Sequence, residues 1–476
     1  MDSPPRNPLN AYILKSLPLL DVSYRRQRYA PARCQERRLS QTKLFHPNYA
    51  EGFRCTGPAC EDTCCRGWNV PIDRASYERF QSLPAGPLRT LVDASILLTP
   101  QGAASAEPAG FAKLRMTESN QCPLFTADRL CRIQAECGEA FLPSACAIYP
   151  RILHSVGGVE EAALALSCPE AARLVLLTPQ LLESAEPLAV PVEEAAAHQG
   201  QPWLPPYFWP IRQTALALVR NRAYPLWQRM FLLGVFCREL DAMAQGDPQP
   251  GVAAYLRGFQ AAVASESLSA AMEDLPFDAK AQLDVMLRLA GMMLHLANVR
   301  PRFVECIHAF TTGIGNGPGV TLESLAARYT LEHDRAFAPF FERHPFILEN
   351  YLINTIYRCQ FPFGKEGMKK SARPSMTREF AVLTAQFALI KGLLIGVAGF
   401  HGQAFSTEHV IHTVQSASKH FEHHPEFLNM AYQLLVDSRM DDPRGLAILL
   451  RNAAPPAAAS APRPATPATQ TPRPQI

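Results

Sequence analysis

FAVLTAQFALIKGLLIGVAGF, residues 380–400, is the longest apolar stretch of the chain, and its reading decides the fold. It is long enough to cross a bilayer. Thr384, Gln386 and Lys391 interrupt it, and a charge near the middle of a membrane helix is costly. A helix buried in a protein core is the better reading, so no membrane span is expected. Gly392 and Gly396 lie four residues apart and would let a neighbouring helix come close.

The same helical character extends outward. Leu226, Met230, Leu233, Cys237 and Leu240 recur at three- and four-residue intervals, as do Leu283, Met286, Leu287, Ala290, Met293, Leu294 and Ala297. No alternation of strand and helix patterns appears, which argues against a doubly wound sheet. Residues 201–450 therefore read as a helical domain and 451–476, rich in Pro and Ala, as a disordered tail. Residues 1–40 read as a basic, poorly ordered extension carrying Arg25, Arg26, Arg28, Arg33, Arg37 and Arg38. PQGAASAEPAG (100–110) reads as a loop. In the proline-rich stretch 187–210, Trp203, Tyr207, Phe208 and Trp209 are expected to pack between domains.

Between these lies a cysteine-rich domain, residues 41–200. Nine of the thirteen cysteines fall between Cys55 and Cys168, four of them in FRCTGPACEDTCCRGW (53–68) at a spacing of C-x4-C-x3-C-C. The chain is neither small nor marked by a secretory signal, so disulfides are a poor account of so many thiols, and a cytoplasmic location is expected. The charge balance, 46 basic against 43 acidic residues, gives no case for nucleic-acid binding. Thiolates select soft metals. Paired C-x2-C knuckles typical of zinc are missing, and the irregular gaps suit a cluster with several irons, with zinc kept as the alternative. If Cys60 and Cys64 were helical they would share a face, with Cys65 turned away. The C-x3-C-x2-C pattern of radical S-adenosylmethionine enzymes is not met. Isolated Cys237, Cys306 and Cys359 read as core residues.

Two further motifs carry weaker signals. TTGIGNGPGV (311–320) looks nucleotide-like, but the segment before it reads as a helix, so an interhelical loop is expected. His420, His423 and His424 could be ligands, although Pro425 suggests a polar helix end.

The motifs FRCTGPACEDTCCRGWNVPID, CPLFTADRLCRIQ, CAIYPRI and LSCPEAARL, followed by ENYLINTIYRCQFPF (349–363), resemble in this order the flagellin lysine-N-methylase family, over roughly residues 45–440. The resemblance implies a mainly α protein in which a cysteine-rich metal-binding domain precedes a helical domain. It implies methyl transfer from S-adenosylmethionine to lysine side chains of flagellin, with at least one [4Fe–4S] cluster. The ligand candidates it carries are Cys55, Cys60, Cys64, Cys65, Cys122, Cys131, Cys146 and Cys168; Cys137 falls outside the pattern. Glu349, Asn350 and Tyr351 become candidates for catalysis, and Tyr149 and Arg151 for cofactor binding. A non-enzymatic zinc- or iron-chelating protein is the alternative function.

Overall fold

The computed structural model describes residues 44–45, 49–67, 70–99, 111–156, 159–182, 187–188, 204–244, 251–296, 299–364 and 375–452. The basic extension, the 100–110 loop, Trp203 and nearly all of the Pro/Ala tail lie outside the described residues.

The stretch quoted first forms one helix, Met376–His401, whose residues from Phe380 to Ala398 are all buried. A helix apolar on every side can be stable only where neighbours cover all of it. Here Leu226–Ala244, Ala279–Leu294, Pro301–Gly313, Leu322–Glu332, Thr407–Phe421, Pro425–Asp437 and Pro443–Leu450 pack around it. Among the described residues it is the one helix long and apolar enough to cross a membrane, and this surround accounts for its composition.

The small residues set the closest crossing. A Cβ on Gly313 would fall 1.8 Å from the carbonyl oxygen of Gly396, and one on Gly396 would fall 2.6 Å from that of Phe310. Gly392 accommodates the Met286 side chain in the same way. Gly313 closes the Pro301–Gly313 helix, so the glycine-rich segment is indeed a connection between helices.

Lys391 is buried in this core and finds acceptors. Its Nζ donates to the carbonyls of Leu449 and Leu450, each at 2.8 Å, and to Asn452 Oδ1. The lysine thereby satisfies the orphan carbonyls that end the Pro443–Leu450 helix. Burial lowers its pKa from 10.5 to about 7.

The cysteine-rich region divides between two cores. Residues from Val70 to Leu142 enclose a small one of their own, built on Ile72, Phe80, Val92, Ala112, Leu114 and Ile133. A three-stranded antiparallel sheet lines it, with Ala112–Leu114 between Pro71–Ile72 and Ile96–Leu98. The hairpin Arg151–Val156/Val159–Leu164 and the helix Pro169–Leu177 instead join the large helical core. The molecule thus has a large helical body and a small lobe, and the chain passes from lobe to body near Tyr149. Phe208 and Trp209 sit in the body core, Phe208 stacked on Phe363 at 5.3 Å.

Polar side chains fasten the hairpin to the body. Arg212, fully buried, donates to both carboxylate oxygens of Glu161 at 3.0 and 2.9 Å and to the Phe361 carbonyl at 2.6 Å. Asn354 accepts from the Leu164 amide at 3.1 Å and donates to its carbonyl at 2.8 Å, mimicking a strand partner.

Candidate functional site

The segment from Cys55 to Cys65 is an irregular loop, because local geometry forbids helix. Gly57 has φ +56°, Pro58 lies in a single tight turn, and Cys60 is extended. Cys60 and Cys64 are therefore not neighbours on a helical face; the loop, not a helical period, sets where their thiols go.

This loop rests on the body through the residues between its cysteines. Asp62 pairs with Lys419 at 2.8 Å and accepts from Gln415 at 2.7 Å. Glu61 meets Arg173 at 3.0 Å. Burial raises the Asp62 pKa, but the Lys419 charge and these hydrogen bonds outweigh it and hold the carboxyl below its usual range.

Cys55, Cys60, Cys64, Cys65, Cys122, Cys131, Cys146 and Cys168 all line one open cavity of about 550 Å³. Cys137 does not; it packs against the small core of the lobe. Cysteines as far apart in sequence as Cys55 and Cys168 meet here because the chain turns around the chamber. Cys131 is the residue before the Arg132–Cys137 helix, and Cys168 the residue before Pro169–Leu177, with Pro169 in its first turn. Such positions present free amides to a thiolate. Burial still dominates at both, raising Cys131 and taking Cys168 up to about 12, while the Ala171 and Glu170 amides pull Cys168 back. Cys122 is raised to about 11 by burial.

Cys64 is the thiol most of the others feel. After burial, its charge adds to the upward shifts of Cys60, Cys122, Cys131, Cys146 and Cys168. Crowded thiols resist deprotonation unless a cation replaces their protons, which is the chemistry of a soft-metal donor set. Among the described residues, no three Cys, His, Asp or Glu side chains converge on a single metal ion. The donor chemistry and the room suit a thiolate-held group extended over several ångströms.

Tyr149 and Arg151 also line the chamber. The Tyr149 hydroxyl lies 3.2 Å from Ser167 Oγ, and Arg151 stacks 5.2 Å from the Phe53 ring centre while donating to the Phe53 carbonyl at 3.1 Å. Arg129 lines the chamber too and donates to the Cys60 carbonyl.

Glu349, Asn350 and Tyr351 do not reach the chamber. Glu349 is held by Arg222 at 3.0 Å and Arg229 at 2.8 Å. Asn350 donates to the Val175 and Thr178 carbonyls at 2.9 and 2.7 Å, closing the end of the Pro169–Leu177 helix. Tyr351 is 1% exposed within the body core. ENYLINTIYRCQFPF is a clamp: its asparagines fasten the hairpin and the helix behind Cys168, and Arg358 meets Glu422 at 3.4 Å. Glu422 in turn accepts from the amides of Leu166 and Ser167, next to Cys168. Glu349 and Asn350 also border a separate cavity of about 470 Å³ with Arg220 and Arg222.

The three histidines do mark a helix end, as Pro425 suggests, yet they also line a cavity of about 50 Å³ behind Cys64. His423 Nε2 lies 3.0 Å from Ser167 Oγ. Arg66, Arg300 and Lys419 complete that lining, and sequence reasoning passed over all three. Arg66 adjoins the Cys64–Cys65 pair, the one signal that could have singled it out.

Comparison with known proteins agrees with the motif resemblance. The family model for the FliB lysine N-methylase C-terminal domain matches residues 212–449. The Lysine-N-methylase of Salmonella typhimurium is 21% identical over 397 residues, covering 80% of this chain and 93% of that protein. The Flagellar biosynthetic protein FliU of Salmonella muenchen is 28% identical over 148 residues, 31% of this chain and 85% of that protein. No solved structure matches the chain.

Proposed function

The chain belongs to the FliB lysine N-methylase family, and from that membership we propose that it transfers methyl groups from S-adenosylmethionine to lysine side chains of flagellin in the cytoplasm. We further propose that Cys55, Cys60, Cys64, Cys65, Cys122, Cys131, Cys146 and Cys168 hold iron–sulfur, with at least one [4Fe–4S] centre. The observation that carries the metal reading is the convergence of all eight on one chamber. Four thiolates hold one such cluster, and eight suffice for two. Iron–sulfur is favoured over a lone zinc because the thiols line an extended wall with no single meeting point.

When bound, the cluster supplies a rigid anchor for the loop and helix ends that carry its ligands. The transfer itself needs a free lysine amine, which attacks the sulfonium methyl carbon as the C–S bond breaks and S-adenosylhomocysteine leaves. An exposed lysine has a pKa of about 10.4, so the amine must lose its proton before attack. The chain contributes alignment and exclusion of water. Single displacement consumes no electron, so it requires no reductant.

The test is mass spectrometry of flagellin incubated with S-adenosylmethionine and anaerobically purified protein, with and without dithionite. Methyl-mass increments in both arms, with iron and sulfide in the protein, are expected. Methylation strictly dependent on dithionite overturns the displacement mechanism. Metal-loaded protein that leaves flagellin unmodified in both arms supports a chelating protein instead, and colourless protein holding only zinc overturns the cluster.

A further inference from the structure

The small cavity behind Cys64 has a charge problem. Arg66, Arg300 and Lys419 face it, and the carboxylate nearest these cations is Asp62. Asp62 is already committed to Lys419 and Gln415. Among the described residues neither Arg66 nor Arg300 makes an ion pair. Arg66 donates instead to the Gln121 side-chain oxygen at 3.2 and 2.9 Å, and Arg300 to the Arg66 carbonyl at 2.7 Å. Burial and the Arg66 charge both push the Arg300 guanidinium below its ordinary pKa.

The fold takes some trouble to keep Arg300 there. Gly67 has φ +75°, and a Cβ at that position would lie 1.4 Å from Arg300 Nη2. The guanidinium therefore lies directly on glycine backbone. His420 is neutral by its contacts: the Ser416 carbonyl accepts from its Nδ1 at 2.8 Å, so Nε2 is left to accept from the Arg300 amide at 3.3 Å. No acid within this lining balances the cations.

Two guanidiniums held by neutral acceptors, beside a lysine whose charge Asp62 already meets, leave a net positive site ready for an anion. The size, about 50 Å³, suits a carboxylate or small oxyanion and nothing larger. A lysine ammonium would be repelled. Cys64 and Tyr149 line both this cavity and the 550 Å³ chamber, so the two spaces adjoin at these side chains.

Resting on the methyl-donor reading above, we propose that Arg66, Arg300 and Lys419 form the subsite for the donor's amino-acid carboxylate, with the rest of the donor lying past Cys64 in the chamber. The assignment makes these three binding residues for the donor and leaves the rest of the chamber, whose lining includes Glu139 and Glu170, for the substrate ammonium.

Calorimetric titration of the full-length, metal-loaded protein separates the possibilities, using S-adenosylmethionine and decarboxylated S-adenosylmethionine, which keeps the sulfonium and adenosine. Wild type should bind the carboxylated donor at least about tenfold more tightly, the scale of one charge-assisted hydrogen bond. Arg66→Gln, at an exposed position, should abolish that preference while leaving affinity for the decarboxylated donor unchanged. Arg300→Gln should do the same, with its thermal unfolding measured to check the fold. Equal affinity of wild type for both donors, or a preference that survives both substitutions, overturns the subsite and leaves the donor reading intact. Failure of both donors to bind overturns the donor reading, and with it the proposal; a rise in wild-type melting temperature with inorganic sulfate, lost in Arg66→Gln, would then reassign the cavity to a free oxyanion.

Discussion

The body and the lobe are built on opposite principles. In the body a helix with no polar face lies at the centre, and the side chains around it close on apolar surface. In the lobe a few short strands and helices enclose a dozen buried side chains, and thiols form much of the remaining wall. Apolar burial contributes about 25 cal/mol per Å², so the body has ample means to hold itself together. The lobe has little, and small cores usually need a staple. The difference teaches that one chain can rest on apolar burial in one place and, on the proposed metal reading, on shared ligands in another.

The largest test of that contrast is removal of metal. Chelation under anaerobic conditions should abolish amide protection across residues 55–147 while the Met376–His401 helix stays protected, as read by hydrogen exchange. A lobe that keeps its protection without metal would show that its own core suffices.

Next in size is the fastening of hairpin to body. Arg212→Met leaves Glu161 buried and unpaired, and should cost about 3–5 kcal/mol in urea unfolding. A loss below about 1 kcal/mol would mean that the hairpin is not part of the cooperative body.

Gly313→Ala probes the body's tightest crossing. Its Cβ meets backbone rather than a flexible side chain, so the two helices must separate, at a cost of about 1–3 kcal/mol. The lobe should be untouched, with metal content unchanged.

The smallest effect, counted per unit of pH, is a pH dependence confined to the body. Lys391 has a folded pKa of about 7 against 10.5 when unfolded. Between these values the unfolded chain binds more protons, so stability rises with pH by at most about 1.4 kcal/mol per unit and is lost again as pH falls towards 7. Its three acceptors work against burial and reduce the slope. Comparing wild type with Lys391→Met by thermal unfolding from pH 7 to 10 reads this contribution; identical pH profiles would show that Lys391 keeps its ordinary pKa in the fold.

What the sequence determined by itself was whatever depends on local composition and period. An apolar run broken by a lysine near its middle favours a core helix over a membrane span, and three- and four-residue spacing lays side chains along one helical face. Gly392 and Gly396 announced a close neighbour because glycine lacks the atom that would prevent it. Cysteine is scarce and its chemistry narrow, so the metal-binding region stood out by itself, while the family resemblance separated the eight thiols that share the chamber from Cys137. Tertiary structure alone decided what depends on distant residues meeting. ENYLINTIYRCQFPF has the polar side chains of an active site, and only the positions of Leu164, Val175 and Thr178 reveal that its asparagines cap backbone. The anion cavity joins Arg66, Arg300 and Lys419, more than a hundred residues apart, and charge acquires its meaning from the neighbours it is forced to share.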